Sequence, residues 1–313
     1  MQVGFIGLGL MGASMAANLQ KAGHKLIVND VRREAADNHV KNGAKWAASP
    51  TELAKQCDVI FLSLPGPPEV EAVTLGENGL LQGLRPGAAV FDLSTNAPTL
   101  VRKIHGLYAE KGVHMLDAPV SGGPAGARSG RMAIWVGGDK AVFDKYKPLL
   151  DAMGDQARYI GAIGAGAVAK LVHNCAGYAV QTALAEVFTM GVKGGVDPLA
   201  LWEAVRGGNG GRRRTFDGLA EQFLVNTYEP AAFALKLAHK DMTLATQLGR
   251  ELGVPMRVAN MAMAELTEAL NRGWEKQDSR APMKLQVERA GVKIEVDRQK
   301  IAEVLDRDPP FKG

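Results

Sequence analysis

The sequence predicts an α/β fold: a doubly wound, largely parallel sheet in the N-terminal half, followed by an all-helical half joined to it by one long helix. Three observations carry this expectation. Short apolar runs alternate with helical patterns from residue 3 to about 160. One continuous helical pattern runs from 167 to about 192. Beyond it the single strand candidate is 292–296. Strand and helix in regular alternation mean βαβ units and a parallel sheet.

In chain order, residues 3–7, 26–28, 59–64 and 89–93 read as buried strands, short and apolar and bounded by turn residues. Helices are expected at 11–22, 33–41, 67–74 and 98–111, the last started by Pro98 behind Thr95 and Asn96. Strands at 113–117 and 132–136 enclose a Gly-rich loop, and with a helix at 140–150 they widen the sheet. Residues 161–166 read as a hinge-like linker. The helix after it, at about 1.5 Å per residue, spans roughly 40 Å, enough to bridge two domains. Further helices are expected at 198–205, 216–224, 232–252, 255–273 and 298–305. The expected domains are 1–163 and 164–313.

Composition narrows the function classes. Apolar residues make up 46% and charged residues 22% of the 313, the mix of a globular chain with a large core, which excludes disorder. A formal charge of +4 is too mild to imply nucleic acid, and no apolar run approaches the roughly 18 residues of a membrane span. With a strand starting at residue 3, no leader is expected. Cys57 and Cys175 lie in segments that read as buried, so reduced thiols and a cytoplasmic setting are expected. No metal site is expected. The 37 glycines are the anomaly, about 12% against a usual ~7%.

Their placement is informative. Gly7-Leu8-Gly9-Leu10-Met11-Gly12 follows an apolar strand and opens a helix, the context a dinucleotide fingerprint requires. Gly7 allows the tight turn, Gly9 lets a pyrophosphate approach the backbone, and Gly12 lets helix and strand pack closely. The helix N-terminus then offers free N–H groups to the phosphates. This is a Rossmann-type signature.

Asp30 closes the second strand 18 residues beyond Gly12, where an acid accepts hydrogen bonds from the ribose hydroxyls of NAD and repels a 2′-phosphate. Arg32 and Arg33 keep NADP open.

Ser121-Gly122-Gly123 can curl its N–H groups into a nest for a carboxylate, or form a plain loop. On the long helix, Lys170, Asn174, Gly177 and Gln181 fall along one stripe, with Val168, Leu171, Val172, Cys175 and Ala179 opposite. Lys170 reads either as a lysine that packs its stem and keeps its head wet or as a working group. Gly177 favours the second reading, since mid-helix glycine costs about 1 kcal/mol relative to Ala unless something approaches closely.

Taken in this order, the clusters resemble the β-hydroxyacid dehydrogenase family, of the 3-hydroxyisobutyrate dehydrogenase and tartronate semialdehyde reductase type. The matching stretches are Gly4-Phe-Ile-Gly-Leu-Gly-Leu-Met-Gly12, Met15-Ala-Ala-Asn-Leu19, Asp117-Ala-Pro-Val-Ser-Gly-Gly-Pro124, the glycines of 161–166, Lys170 with Asn174, and Lys240-Asp241. They run from residue 1 to about 275; the last forty or so residues lie outside the resemblance.

The resemblance implies roles. Lys170 is the general acid/base, and Asn174 orients the substrate beside it. Ser121, Gly122 and Gly123 hold the substrate carboxylate. Leu10, Met11, Asp30, Leu64, Pro65 and Thr95 line the cofactor, NAD with NADP possible, and Lys240 reaches toward it. It also implies a homodimer or homotetramer paired through the long helix and the helical domain, acting on a small carboxylate substrate. Arg212, in an Arg212-Arg213-Arg214 run behind a glycine-rich turn, departs from the pattern. It reads as a solvated or interface charge, or as a contact to a second anionic group on the substrate.

Two rival functions remain to be weighed. Imine reductases share the architecture with NADPH but usually lack a lysine at the position of Lys170. A dinucleotide-binding sensor without turnover would have no use for the Lys170/Asn174 pair. A 6-phosphogluconate dehydrogenase would need a much larger helical domain.

Overall fold

A computed structural model describes residues 1–208, 217–253 and 256–307. The chain divides into two compact units, Met1–Val172 and His173–Gly313.

The first unit opens with β1 (Val3–Ile6), α1 (Gly12–Lys21), β2 (Leu26–Asn29), α2 (Asp37–Lys41), β3 (Lys45–Trp46), α3 (Pro50–Ala54) and β4 (Val59–Leu62). It continues through α4 (Pro67–Leu75), α5 (Leu80–Gly83), β5 (Ala89–Asp92), α6 (Pro98–Ala109) and β6 (His114–Asp117). An extension follows: β7 (Val120–Ser121), α7 (Gly123–Ser129), β8 (Ala133–Gly137), α8 (Lys140–Met153) and β9 (Gln156–Gly161). Helix α9 (Ala165–Lys193) contributes residues to both units.

The strand order is β3-β2-β1-β4-β5-β6-β8-β7, with β9 on β8. Strands β1 to β6 pair in parallel; β8 runs antiparallel to β6 and β7 and parallel to β9. The first six thus have the doubly wound order, and the extension widens the sheet as expected. Both faces are covered, which is why β1 and β4 are apolar throughout. Successive side chains alternate between faces. On one face Phe5, Phe61 and Phe91 stand in a row, with centroids 6.3 and 5.3 Å apart, and Tyr146 of α8 meets Phe91 edge-on at 5.8 Å. On the other, Ile60, Leu62 and Val90 pack with Leu53, Leu80 and Ile104.

The second unit holds the rest of α9, then α10 (Pro198–Gly207), a 3₁₀ turn at Asp217–Leu219, α11 (Leu235–Glu251), α12 (Arg257–Asn271), α13 (Met283–Ala290) and α14 (Arg298–Arg307). Small residues, Ala238 of α11 with Ala259, Ala262 and Ala269 of α12, belong to one of its apolar clusters. The other is built on Trp202, Phe188, Phe223 and Leu224 and is completed by Ile294, Ile301 and Val304.

Three expectations are corrected. Within the helix expected at 216–224, the described residues form the short 3₁₀ turn and irregular turns, closed by Leu224 N–H on Leu219 O at 3.0 Å. Gly218 weakens helix there, and Leu219, Phe223 and Leu224 all bury in one cluster. Residues 292–296 have no regular secondary structure and form no strand: Val296 N–H donates to Leu224 O, and one such bond is no ladder. The 161–166 segment is not a separate linker, because Gly161 ends β9 and Gly164 and Gly166 are buried at the root of α9.

Candidate active site

In a doubly wound sheet ligands bind outside the carboxyl ends of the strands, and that edge gathers most of the expected residues of the first unit. The β1–α1 loop carries the fingerprint. Gly7 has φ +91°, and a Cβ there would lie 2.2 Å from Ser63 O. A Cβ on Gly12 would lie 1.9 Å from Gly7 O, so helix and strand meet backbone to backbone. Above Gly9 there is open space, Leu10 is 67% exposed, and α1 has no side-chain cap on its first amides. This cradle fits a dinucleotide pyrophosphate.

Asp30 is drawn onto the loop: Leu8 N–H donates to Oδ2 at 2.7 Å and Arg32 N–H to Oδ1 at 2.9 Å. Arg32 itself is largely exposed, its Nε 3.8 Å from Asp30. Arg33 is engaged elsewhere, on Asp37 at 3.0 Å and over the Trp46 ring at 4.8 Å.

Two further strand ends are joined by residues that sequence reasoning did not assign. Ser94 Oγ accepts the Leu64 N–H at 2.9 Å, and Asp92 accepts from Ser94 N–H at 3.0 Å and Asn96 Nδ2 at 2.9 Å. Leu64 and Thr95 are thereby brought to one edge, with Pro65 exposed beside them.

Burial pushes the Asp92 carboxyl up to about 6; the hydrogen bonds from Ser94 and Asn96 oppose the rise, and the neighbouring Asp117 adds to it. The folded pKa lies above the unfolded value of about 3.9, so the folded state binds the extra proton between pH ~4 and ~6. Stability from this group is therefore present at the acid end of that window and lost as pH rises through about 6. Melts of the wild type and Asp92→Asn should show the wild-type advantage shrinking over this range, by on the order of 3 kcal/mol, then staying level. A constant difference would refute the shift.

Asp117 ends β6 beside Asp92 in register. It is 1% exposed, and its oxygens accept the Gly164 N–H at 2.7 Å and the Ala167 N–H at 2.6 Å. Four residues on, Ser121 lies in β7, and Gly122 and Gly123 have φ +147° and +61°. What reads as a loop is therefore a strand end followed by the helix α7. Lys170, one turn beyond Ala167 on α9, is half-buried.

In the second unit, Asn174 Nδ2 donates to Asp241 Oδ2 at 2.6 Å, and Lys240 Nζ lies 2.8 Å from Oδ1 of the same carboxylate, which is 1% exposed. Two expected residues meet here, with Asp241 as the unassigned link. The pattern across α9 is partly corrected. Leu171 is buried, but Val172 is 63% exposed and Gly177 stands in the open with nothing within 4 Å of its Cβ position, so the close approach expected of it is not made within the described residues. Arg212 lies outside the described residues. Among those described, no group of three or more His, Cys, Asp or Glu could hold a metal ion. Among the same described residues, no helix is long and apolar enough to cross a membrane.

Comparison with known proteins agrees with this geometry. Residues 2–161 match the NAD binding domain of 6-phosphogluconate dehydrogenase, and residues 164–286 match the NAD-binding family of NADP-dependent 3-hydroxyisobutyrate dehydrogenase. The chain is 35% identical over 291 residues to 2-(hydroxymethyl)glutarate dehydrogenase of Eubacterium barkeri, covering 93% of this chain and 96% of that one. The chain belongs to the β-hydroxyacid dehydrogenase family.

This dehydrogenase is an NAD(P)-dependent oxidoreductase. It is also 36% identical over 289 residues to an NAD-dependent L-serine dehydrogenase of Pseudomonas aeruginosa, covering 91% of this chain and 97% of the relative. The structure of a Mycobacterium tuberculosis 3-hydroxyisobutyrate dehydrogenase with L-serine superposes with a TM-score of 0.81 at 29% identity, covering 91% and 98% of the two chains.

Proposed function

We propose that this dehydrogenase interconverts a small 3-hydroxy acid and the corresponding semialdehyde acid, with Lys170 as the general acid/base and NAD(H) as the preferred cofactor. The observation that carries this reading is a half-buried lysine rooted, through Ala167 and Asp117, at the same carboxyl edge that bears the fingerprint, Asp30, Leu64 and Thr95.

A nicotinamide dinucleotide held by the Gly7–Gly12 loop and Asp30 would supply the hydride chemistry. In the oxidation, the neutral amine of Lys170 accepts the hydroxyl proton as the carbinol C–H bond breaks and the carbonyl forms. In the reduction, its ammonium protonates the forming alkoxide and stabilises its charge. Ser121, Gly122 and Gly123 hold the carboxylate, a constraint worth several kcal/mol as positioning. Asn174 donates its amide to Asp241, which turns Oδ1 the other way, ready to accept from a substrate hydroxyl or ammonium. Arg212 contacts a second anionic group, as the dicarboxylate named for the Eubacterium relative would carry. Exposed Val172 and Val180 on α9, at 63% and 44%, support pairing of copies through that helix. The free thiols of Cys57 and Cys175 suit a cytoplasmic setting.

The test is a spectrophotometric panel of 3-hydroxyisobutyrate, L-serine, 2-(hydroxymethyl)glutarate and tartronate semialdehyde with both cofactors. We expect kcat/KM to favour NAD(H) on the best acid, and Asp30→Ala to narrow the preference by about tenfold or more, since a charge-assisted hydrogen bond is worth ~1.5–3 kcal/mol. A wild-type preference for NADP(H) would mean that Arg32 overrules the acid. No turnover of any member would overturn the substrate class.

A further inference from the structure

We propose that Asp117 is a positioning residue: it sets the spacing between the Ser121–Gly123 segment and Lys170 by anchoring the first turn of α9 at the point where the β6–β7 connection leaves the sheet. The inference rests on Lys170 being the proton-transfer group.

A helix leaves its first N–H groups without partners, and a side chain at the N-cap usually satisfies one of them. At the start of α9 stands Gly164, with φ +92° and no side chain to offer. Asp117 supplies the missing acceptors from 47 residues away, one oxygen on Gly164 N–H and the other on Ala167 N–H. The carboxylate is held by backbone amides, those of Gly164, Ala167, Asp117 itself and Gly166, working against a burial that pushes its pKa up.

The slot around it is cut by glycines. A Cβ on Gly137 would lie 2.6 Å from Asp117 Oδ1. One on Gly166 would lie 2.9 Å from Oδ2 and 2.3 Å from Trp135 O. The first turn of α9 therefore rests directly on the ends of β6 and β8, and nothing larger than hydrogen fits between them.

Two lines of geometry leave this one residue. Forward along the chain, Ala118-Pro119-Val120 leads to Ser121, with Pro119 O held by Trp135 N–H at 3.2 Å. Across the hydrogen bonds, Ala167 leads in one helical turn to Lys170. A helix rises about 1.5 Å per residue as a stiff unit, so a shift at its root carries to the amine. A substrate held by its carboxylate then meets a lysine displaced from its hydroxyl, and a misplacement of about 1 Å can cost on the order of 10²-fold in rate.

Asp117→Asn replaces one acceptor oxygen by an NH₂ that confronts a backbone N–H. With the best acid of the panel, we expect kcat to fall about 10- to 100-fold. KM for the acid, and the NADH dissociation constant read from nicotinamide fluorescence, should change by less than about threefold. Gly166→Ala disturbs the same contact without removing the charge; its methyl group, 2.3 Å from Trp135 O, should lower the melting temperature as well as kcat. Lys170→Ala assayed with and without a small primary amine separates the two readings. Restoration by the amine in Lys170→Ala, but not in Asp117→Asn, is the expected pattern, because the latter still has its lysine in the wrong place. If Lys170→Ala keeps a tenth or more of kcat, the proton-transfer reading falls and takes this inference with it. If Lys170→Ala is inactive while Asp117→Asn keeps wild-type kcat, the positioning role alone is overturned. Loss of NADH binding in both Asp117→Asn and Gly166→Ala also overturns it, since Asp117 would then be holding the fold.

Discussion

Lys170→Ala should lower kcat by about 10²–10⁴-fold, the range of a lost general acid/base, while NADH affinity stays nearly unchanged. The cofactor-side residues sit on the ends of β1, β2, β4 and β5, whereas Lys170 stands on α9, whose root is tied to the sheet through Asp117. Removing the side chain beyond Cβ leaves that root intact, because its anchoring bonds are made by the backbone of Gly164 and Ala167. Loss of turnover with normal NADH binding is the predicted signature. Retention of a tenth or more of kcat would take Lys170 out of the reaction.

The second large effect separates two glycines of the same loop. Gly12→Ala should lower stability by about 3 kcal/mol or more and abolish measurable NADH binding, because the new methyl group would stand 1.9 Å from the Gly7 carbonyl oxygen. Neither atom can yield without parting α1 from β1. Gly9→Ala meets nothing within 4 Å, and its backbone is outside the left-handed region. Its melting temperature should hold or rise slightly, yet NADH affinity should fall at least tenfold, because the methyl group fills space needed by the pyrophosphate. Thermal melts and fluorescence titration of the pair check this. Normal NADH binding in Gly9→Ala would remove that glycine from the cofactor cradle.

Local signals made much of this molecule legible in advance. The strands around Phe5, Phe61 and Phe91 are runs of buried apolar residues, and burial on both faces leaves that pattern no ambiguity. The fingerprint and Asp30 lie within one βαβ unit, so their order in the chain already implies their meeting. What could not be read depends on distance along the chain. Asp117 reaches amides 47 and 50 residues on, and Asp241 meets Asn174 across 67. Nothing about a lone aspartate announces such a partner. Composition also misled: three glycines and a proline in 122–126 suggest a loop, yet Pro124 sits where a helix tolerates it best, in the first turn. Gly177 on its stripe suggests an approach that the described part of the chain does not make.

The apolar cluster around Trp202 and Phe223 draws Ile294, Ile301 and Val304 from beyond residue 286, where the match to the family ends. Similarity and folding therefore place their borders differently in this chain. A chimaera that joined the helical half of a shorter relative to the first unit would bring a core sealed by its own means, and this tail would arrive with nothing to close. Conversely, a version trimmed to the shared region would turn the faces of Trp202 and Phe223 that the tail now covers toward solvent. In this protein the tail is part of the interior, and any recombination among relatives has to carry it as one inheritance with α10 and the 219–224 turn.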